Sequence, residues 1–316
     1  MTLRLTVNRQ LWLDHVRHTA SQHGLTLPVV KGNGYGFGRP ILFEQASHIS
    51  DHVAVGTVFE ASDVPSALTP VILTPAGSYI PSSLPAQAVL TVGSIHHVET
   101  LKAHSWRGSV VVKLQSTMKR FGASASELAA IRDACTEAAL NIVGWSIHPP
   151  LNTNNEDHSG EVTCWLEILQ DSLPIYVSHL SSSQVNTLRA SHPERSFVSR
   201  IGTTLWLGDK SMMKLEADVL DVHRVEGGTA GYRSTQVPGP GHIVVVGAGS
   251  AHGVAEIPSV GSPFHFAQQR VSLLEPPYMH STMIFIPEGQ SVPRVGDFVD
   301  VQQPLTRICA DTISWV

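Results

Sequence analysis

Apolar residues recur along the first two-thirds of the chain in short runs, separated by stretches of helical period. Leu3, Leu5 and Val7 alternate with polar residues as in a strand, and Asn8 stands where a cap would open a helix carrying Leu11, Leu13, Val16 and Ala20. β-branched and aliphatic runs follow at Leu27–Val30, Val53–Gly56, Pro70–Leu73, Ala88–Val92, Ser109–Leu114, Asn141–Ile147, Pro174–Val177 and Phe197–Ile201. Amphipathic stretches at 41–48, 58–66, 95–104, 125–139, 159–171 and 183–191 lie between most of them. Ser124-Ala125-Ser126-Glu127 has the Ser-x-x-Glu spacing of a capping box, which predicts a helix opening there. Strand candidates alternating with helix candidates, eight runs in all, predict an α/β fold, a (β/α)8 TIM-like barrel. The first few units would suit a doubly wound sheet equally well. The count of eight, with no Gly-x-Gly-x-x-Gly after the first strand, favours the barrel.

After Gly208-Asp209-Lys210 the helical period disappears. Short alternating or apolar runs (Leu215–Val225, His242–Gly247, Met283–Ile286, Phe298–Val301) lie between Gly/Pro-rich turns such as Val237-Pro238-Gly239-Pro240-Gly241. The pattern predicts a barrel over 9–208 followed by a C-terminal all-β domain over 209–316, which the N-terminal strand, within 1–8, could join.

Barrel enzymes place their chemistry at the carboxyl ends of the strands. Lys31 ends the first run, Lys113 and then Arg120 follow the fifth, His148 the sixth, Ser178-His179 the seventh and Arg200 the eighth. Lys31 opens the segment Lys31-Gly32-Asn33-Gly34-Tyr35-Gly36-Phe37-Gly38. A lysine at the end of a buried strand is expected to be desolvated, which lowers its pKa and frees the amine as a nucleophile or Schiff-base former. The glycines permit a sharp exit and a close approach of backbone to a ligand.

Composition narrows the function classes. A formal charge of -5 gives no electrostatic reason to expect nucleic acid or an anionic membrane surface as partner. Seventeen histidines are scattered without His-Glu-x-x-His or other tight ligand spacing, so no metal site is predicted. Cys135, Cys164 and Cys309 are odd in number and far apart; the first two fall in helical stretches and are expected as buried thiols rather than disulfides. No signal-peptide pattern and no bilayer-spanning apolar run is seen, so the cytoplasm is the expected compartment.

Val29-Val30-Lys31-Gly32-Asn33-Gly34-Tyr35-Gly36 resembles the cofactor-lysine segment of the alanine racemase family, whose members are fold type III pyridoxal-phosphate enzymes. The resemblance implies pyridoxal 5'-phosphate bound to Lys31 as a Schiff base, with Tyr35 bonding its phosphate. In Lys113-Leu114-Gln115-Ser116-Thr117-Met118-Lys119-Arg120-Phe121-Gly122, Lys113 matches a lysine often carbamylated. Arg120 there matches the arginine that bonds the cofactor's phenolic oxygen and steers the substrate carboxylate. His148 matches the histidine that stacks near the pyridine ring, and Ser183 a phosphate-binding serine. Arg200 matches the arginine facing the pyridine nitrogen, and Gly202 and Thr203 supply backbone amides at the phosphate. A guanidinium can only donate to that nitrogen, which keeps the ring unprotonated and suits reversible α-proton transfer.

The departures concentrate in the second domain and in one barrel loop. Gln115, Ser116 and Thr117 replace the family's Asp, Thr and Gly. The family's second base is a tyrosine in Gly-Tyr-Ala-Asp-Gly, reaching into the other subunit's site; Ser250 occupies its place. Met279-His280 resembles the family's Met-Asp pair, whose methionine amide binds the substrate carboxylate. Thr312-Ile313-Ser314-Trp315 resembles a family segment that normally continues to a further phosphate-contacting tyrosine. With Lys31 as one proton carrier, Tyr278 and His280, flanking the carboxylate position, are the first candidates for the other, ahead of Tyr232 and His252. The resemblance implies an amino-acid racemase acting on alanine or a related small amino acid, as a homodimer. The alternative is a racemase-like paralogue that binds cofactor or amino acid in a regulatory role, or runs one-face chemistry on another amine.

Overall fold

The computed structural model describes residues 2–151, 158–258 and 260–316. Two compact units result, one built from His15–Gly32 and Arg39–Gly208, the other from residues 2–14, Asn33–Gly38 and Asp209–Val316.

The first unit is a parallel barrel. After β1 (Leu3–Val7) and α1 (Arg9–His23), strands β2 (Thr26–Pro28), β3 (His52–Val55), β4 (Thr69–Pro75), β5 (Val89–Val92), β6 (Ser109–Lys113), β7 (Asn141–Ser146), β8 (Ile175–Val177) and β9 (Phe197–Ile201) pair in the order β2-β9-β8-β7-β6-β5-β4-β3. The ring closes where Val29 bridges Ala54 and the Val30 N–H donates to the Ala54 carbonyl at 2.7 Å. Helices α2 (Arg39–Ser47), α3 (Ile95–Ala103), α4 (Leu128–Glu137), α5 (Ser159–Ile168) and α6 (Ser182–Ser191) fill predicted positions, and a short α7 (Thr203–Leu207) follows β9 where no helix is predicted. One differs: the 58–66 stretch forms only a 3-10 turn over Val58–Asp63. Ser124 opens α4 through a preceding turn, its N–H donating to the Glu127 carboxylate at 2.8 Å and its hydroxyl at 2.6 Å.

One apolar cluster joins Leu27, Val29, Ala54, Val71, Val89 and Val111, with Val143, Tyr176 and Val198 packed against it. Side chains alternate faces along a strand. Two residues beyond Val29, Val111 and Val198 stand Lys31, Lys113 and Arg200. The same period that builds the apolar layer therefore raises a polar layer above it, and the register sets Lys113 opposite Ser146.

The second unit carries, among the described residues, a nine-stranded sheet centred on β10 (Met213–Val225). β10 pairs with Phe298–Val301 on one side and, along successive stretches, with β1 and Gly241–Val246 on the other, all antiparallel, while β1 also pairs in parallel with Thr312–Trp315. Residues 9–14 and 33–38, read from sequence as barrel, group with this unit. The reason is local bonding that a strand-and-helix pattern does not reveal. The Asn33 side-chain amide donates to the Leu305 and Ile308 carbonyls at 2.9 and 2.6 Å, and Phe37 stacks on Trp12 at 4.8 Å between ring centroids.

All three cysteines are free; Cys135 is buried, but Cys164 is exposed, contrary to the sequence expectation, because it falls on the outer side of α5, away from buried Val162 and Leu166. No helix of the described residues is long and apolar enough to cross a membrane.

Trp206 on α7 is fully buried and its indole N–H donates to the Val29 carbonyl at 2.8 Å, fastening the strand that leads to Lys31. Trp206→Phe is expected to lower the unfolding free energy by about 1–3 kcal/mol, because a buried carbonyl loses its donor; urea titration at constant slope measures it.

Candidate active site

Barrel topology puts Lys31, Lys113, Arg120, His148, His179 and Arg200 at one end of the strands, and their mutual electrostatic influence confirms that they share one neighbourhood. Lys31 follows the last ladder residue and is exposed rather than buried, since pairing ends at Val30 and the chain turns away at Gly32, φ +60°. Partial desolvation, then Arg120 and Arg200, still lower its pKa, while Glu60 opposes them. The deeply buried lysine is Lys113, 5% exposed, whose pKa falls to about 5 through burial and the fields of Arg200 and Arg120. Its amine is neutral at physiological pH.

Arg200 is buried at the end of β9. One terminal N–H donates to the Ile147 carbonyl at 2.7 Å and lies 3.5 Å from His148 Nδ1. Its Nε is buried with no hydrogen-bond partner. His148 is driven down to about 2, first by burial and then by Arg200, Lys113, His179 and Arg120. It is therefore a neutral ring able to accept from the guanidinium, and it packs 4.3 Å from the ring of His179, whose Nδ1–H donates to the Pro149 carbonyl at 2.9 Å.

Arg120 rides on an excursion that leaves and rejoins the end of β6. The Ala123 N–H donates to the Lys113 carbonyl at 2.8 Å and the Gln115 N–H to the Ala123 carbonyl at 2.9 Å. Gly122, φ +127°, makes the closure possible, because a Cβ there would lie 2.5 Å from Leu114 and Gln115 backbone. Two of the substituted positions anchor the excursion. The Thr117 N–H and hydroxyl both donate to Glu161 on α5, at 2.9 and 2.6 Å, and the Ser116 hydroxyl donates to the His148 carbonyl at 2.7 Å. These side chains make bonds that a glycine at 117 could not complete. The Arg120 side chain is exposed, its guanidinium 5.2 Å from the Phe121 ring centroid.

Gly202 precedes α7 and Thr203 begins it. Ser183 lies exposed in the first turn of α6, its hydroxyl 2.9 Å from that of Ser181. Ser181 is the cap: its hydroxyl accepts from the Gln184 N–H at 3.2 Å, and Gln184 accepts from the Ser181 N–H at 2.8 Å.

The remaining candidates belong to the second unit. Tyr35 is buried with φ +55°, a left-handed backbone rare outside glycine. Tyr278 donates its hydroxyl to the buried Glu275 at 2.5 Å; burial and then this bond raise its pKa, so the phenol is held protonated. Glu275 also accepts from the Arg233 N–H at 2.9 Å and the Thr235 hydroxyl at 2.8 Å. Met279 and His280 are exposed, and the His280 ring lies 5.8 Å from that of His252. His252 itself is buried, with Nε2 3.3 Å from an Asp311 carboxylate oxygen. Among the described residues no three metal-ligating side chains cluster.

Sequence reasoning missed Glu60, Glu161, Ser146 and Glu275. None sits in a recognisable motif: Glu60 and Glu161 accept from backbone N–H groups, and Glu275 gathers groups from Arg233, Thr235 and Tyr278. Ser146 alone carried a signal, its place in the alternation two residues before His148.

An eight-stranded parallel barrel carrying an amine and a buried guanidinium at its strand ends, accompanied by a β unit, defines the alanine racemase class of fold. The family described as alanine racemase, N-terminal domain, matches residues 12–210, more than half of the chain, and the chain belongs to it. No curated protein sequence matches. Among solved structures, the alanine racemase from Bartonella henselae with covalently bound pyridoxal phosphate is similar at 17% identity and a TM-score of 0.73, covering 100% of both chains. Alanine racemase from Clostridium difficile 630 is similar at 16% identity and 0.74, covering 99% of this chain and 95% of that one. The biosynthetic alanine racemase from Pseudomonas aeruginosa is similar at 19% and 0.72, covering 100% and 99%. At these identities the likeness shows the fold.

The depressed Lys113 pKa carries a stability consequence. Between its folded value of about 5 and the ordinary lysine value, the unfolded chain binds the extra proton, so this group makes stability rise with pH. Lys113→Met is expected to be more stable than the parent near pH 6. The gap should close on raising the pH, at a slope approaching about 1.4 kcal/mol per pH unit. Denaturant titrations of both proteins from pH 6 to 9 measure it.

Proposed function

We propose that the protein is a pyridoxal-phosphate-dependent amino-acid racemase acting on alanine or a related small amino acid. The observation that carries the reading is Arg200: a guanidinium 9% exposed whose Nε has no partner, in the polar layer beside Lys31 and Lys113. A buried N–H left unpaired costs about 1–3 kcal/mol, and a ring-nitrogen acceptor satisfies it without offering a proton. The residues present therefore fit the group.

Lys31 would hold the cofactor covalently, with Tyr35, Ser183 and the Gly202 and Thr203 amides taking its phosphate. When bound, pyridoxal phosphate supplies the electron sink that acidifies an amino acid's α-hydrogen. Lys31, its basicity lowered by partial burial and then by Arg120 and Arg200, would then carry the proton on one face of the substrate's Cα. His148, neutral and packed at a tilt against His179, would offer a flat uncharged surface to a ring. Arg120 would hold the substrate carboxylate together with the Met279 N–H. Lys113, neutral in its buried place, backs Arg120 without adding charge. On the opposite face, Tyr278 is the preferred proton donor, held protonated by Glu275, with His280 second. The working form is proposed to be a homodimer in the cytoplasm.

A second reading is favoured by one observation. Ser250 stands at the position of the family's second-base tyrosine, and Tyr278, bonded to a carboxylate with its pKa raised, is poorly prepared to accept a proton. In that reading only the Lys31 face is served, and the protein exchanges an α-hydrogen without inverting the centre, or binds its ligand in a regulatory role.

Incubation with pyridoxal phosphate and L-alanine in deuterated water separates these readings. Racemisation predicts loss of optical rotation together with loss of the Cα-proton signal. Exchange with retained chirality would support the second reading, and neither signal would remove alanine as a substrate. Lys31→Ala is expected to abolish the visible absorption band of bound cofactor; a persisting band would overturn the assignment of this lysine.

A further inference from the structure

Gly32, the residue that follows Lys31, is held at both its backbone N–H and its carbonyl. The Gly32 N–H donates to Glu60 Oε1 at 3.1 Å, and the other oxygen, Oε2, accepts the Gly56 N–H at 2.7 Å at the end of β3. The Gly32 carbonyl accepts from Arg39 at 2.5 Å, and Arg39 in turn pairs with Asp63, three residues beyond Glu60 in the same 3-10 turn. Glycine at 56 lets the carboxylate approach, since a Cβ there would lie 3.0 Å from Glu60 Oε2. A carboxylate with both oxygens committed to backbone N–H groups of two barrel strand ends is fixed in place, and it is half-buried.

We propose that Glu60 is a positioning residue for Lys31, pinning the backbone beyond the amine to the neighbouring strand and supplying the negative charge that balances Arg120 and Arg200 there. The inference rests on Lys31 being the reactive amine. The groups that act on Lys31 are Arg120 from the loop after β6, Arg200 from β9, His179 from the loop after β8, and Glu60. Of these Glu60 is the one that favours the protonated amine. Without it, two guanidiniums act unopposed, and Lys31 loses its proton at lower pH.

The test reads the lysine directly and needs no catalysis. Protein stripped of carbonyl cofactors is labelled competitively with acetic anhydride from pH 6 to 11, and Lys31 acetylation is quantified by peptide mass spectrometry. In Glu60→Gln the midpoint is expected to fall by roughly half a unit or more, with thermal unfolding recorded alongside. In Glu60→Asp, which keeps the charge but retracts it by one methylene, the midpoint should lie between the parent and E60Q. An unchanged midpoint in folded E60Q overturns the proposal, as does a fall in E60D as large as in E60Q. If E60Q does not fold, E60D decides: a lowered midpoint supports the proposal and a parental one overturns it. Because the readout is independent of cofactor, a failure here is distinguishable from a failure of the racemase reading.

Discussion

Concentrating positive charge in a desolvated place is the constraint to which the barrel end answers. Arg200 cannot shed its proton at physiological pH, so every group around it adjusts instead. Lys113 becomes a neutral amine, His148 becomes a neutral acceptor, and Lys31 loses basicity. Burial is the first cause for each of them, and the permanent charge of Arg200 in the polar layer pushes the same way. The result is an environment that favours anionic and electron-rich ligands and lowers the basicity of two amines.

The barrel contributes the placement. A period of two along parallel strands stacks a polar layer on an apolar one, so Val111 and Lys113, or Val198 and Arg200, are two storeys of the same wall. Rigid strand ends hold Lys113 and Arg200 in place, whereas Lys31 and Arg120 stand just beyond the ladder on loops. Those loops are fastened by carboxylates: Glu60 to the peptide after Lys31, Glu161 to Thr117 in the excursion that carries Arg120. Substitutions that look like losses against the family pattern therefore have work in this chain. Thr117 and Ser116 bond to Glu161 and to the His148 carbonyl, which tightens the Arg120 loop from outside.

The second unit poses a different question. Glu275 collects a phenol, a backbone N–H and a threonine hydroxyl, a fully occupied carboxylate that keeps Tyr278 a donor. Such an arrangement suits giving a proton better than taking one. This asymmetry, set against a Lys31 with lowered basicity, separates the racemase reading from one-face exchange on chemical grounds.

The alternation of apolar runs with helical stretches determined by itself that the chain makes eight parallel strands, and it placed Lys113, His148 and Arg200 at their ends. These are properties of local period, which survive in a linear reading. Only the tertiary structure decided which lysine is buried, because Lys31 and Lys113 look alike in sequence but end their strands on different sides of the last ladder bond. It also decided that residues 33–38 group with the β unit, since Asn33 and Phe37 find their partners at Leu305, Ile308 and Trp12. Glu60 and Glu161 were invisible beforehand for the same reason. A carboxylate that serves backbone N–H groups leaves no motif, because its partners are identical at every position of the chain until folding selects two of them.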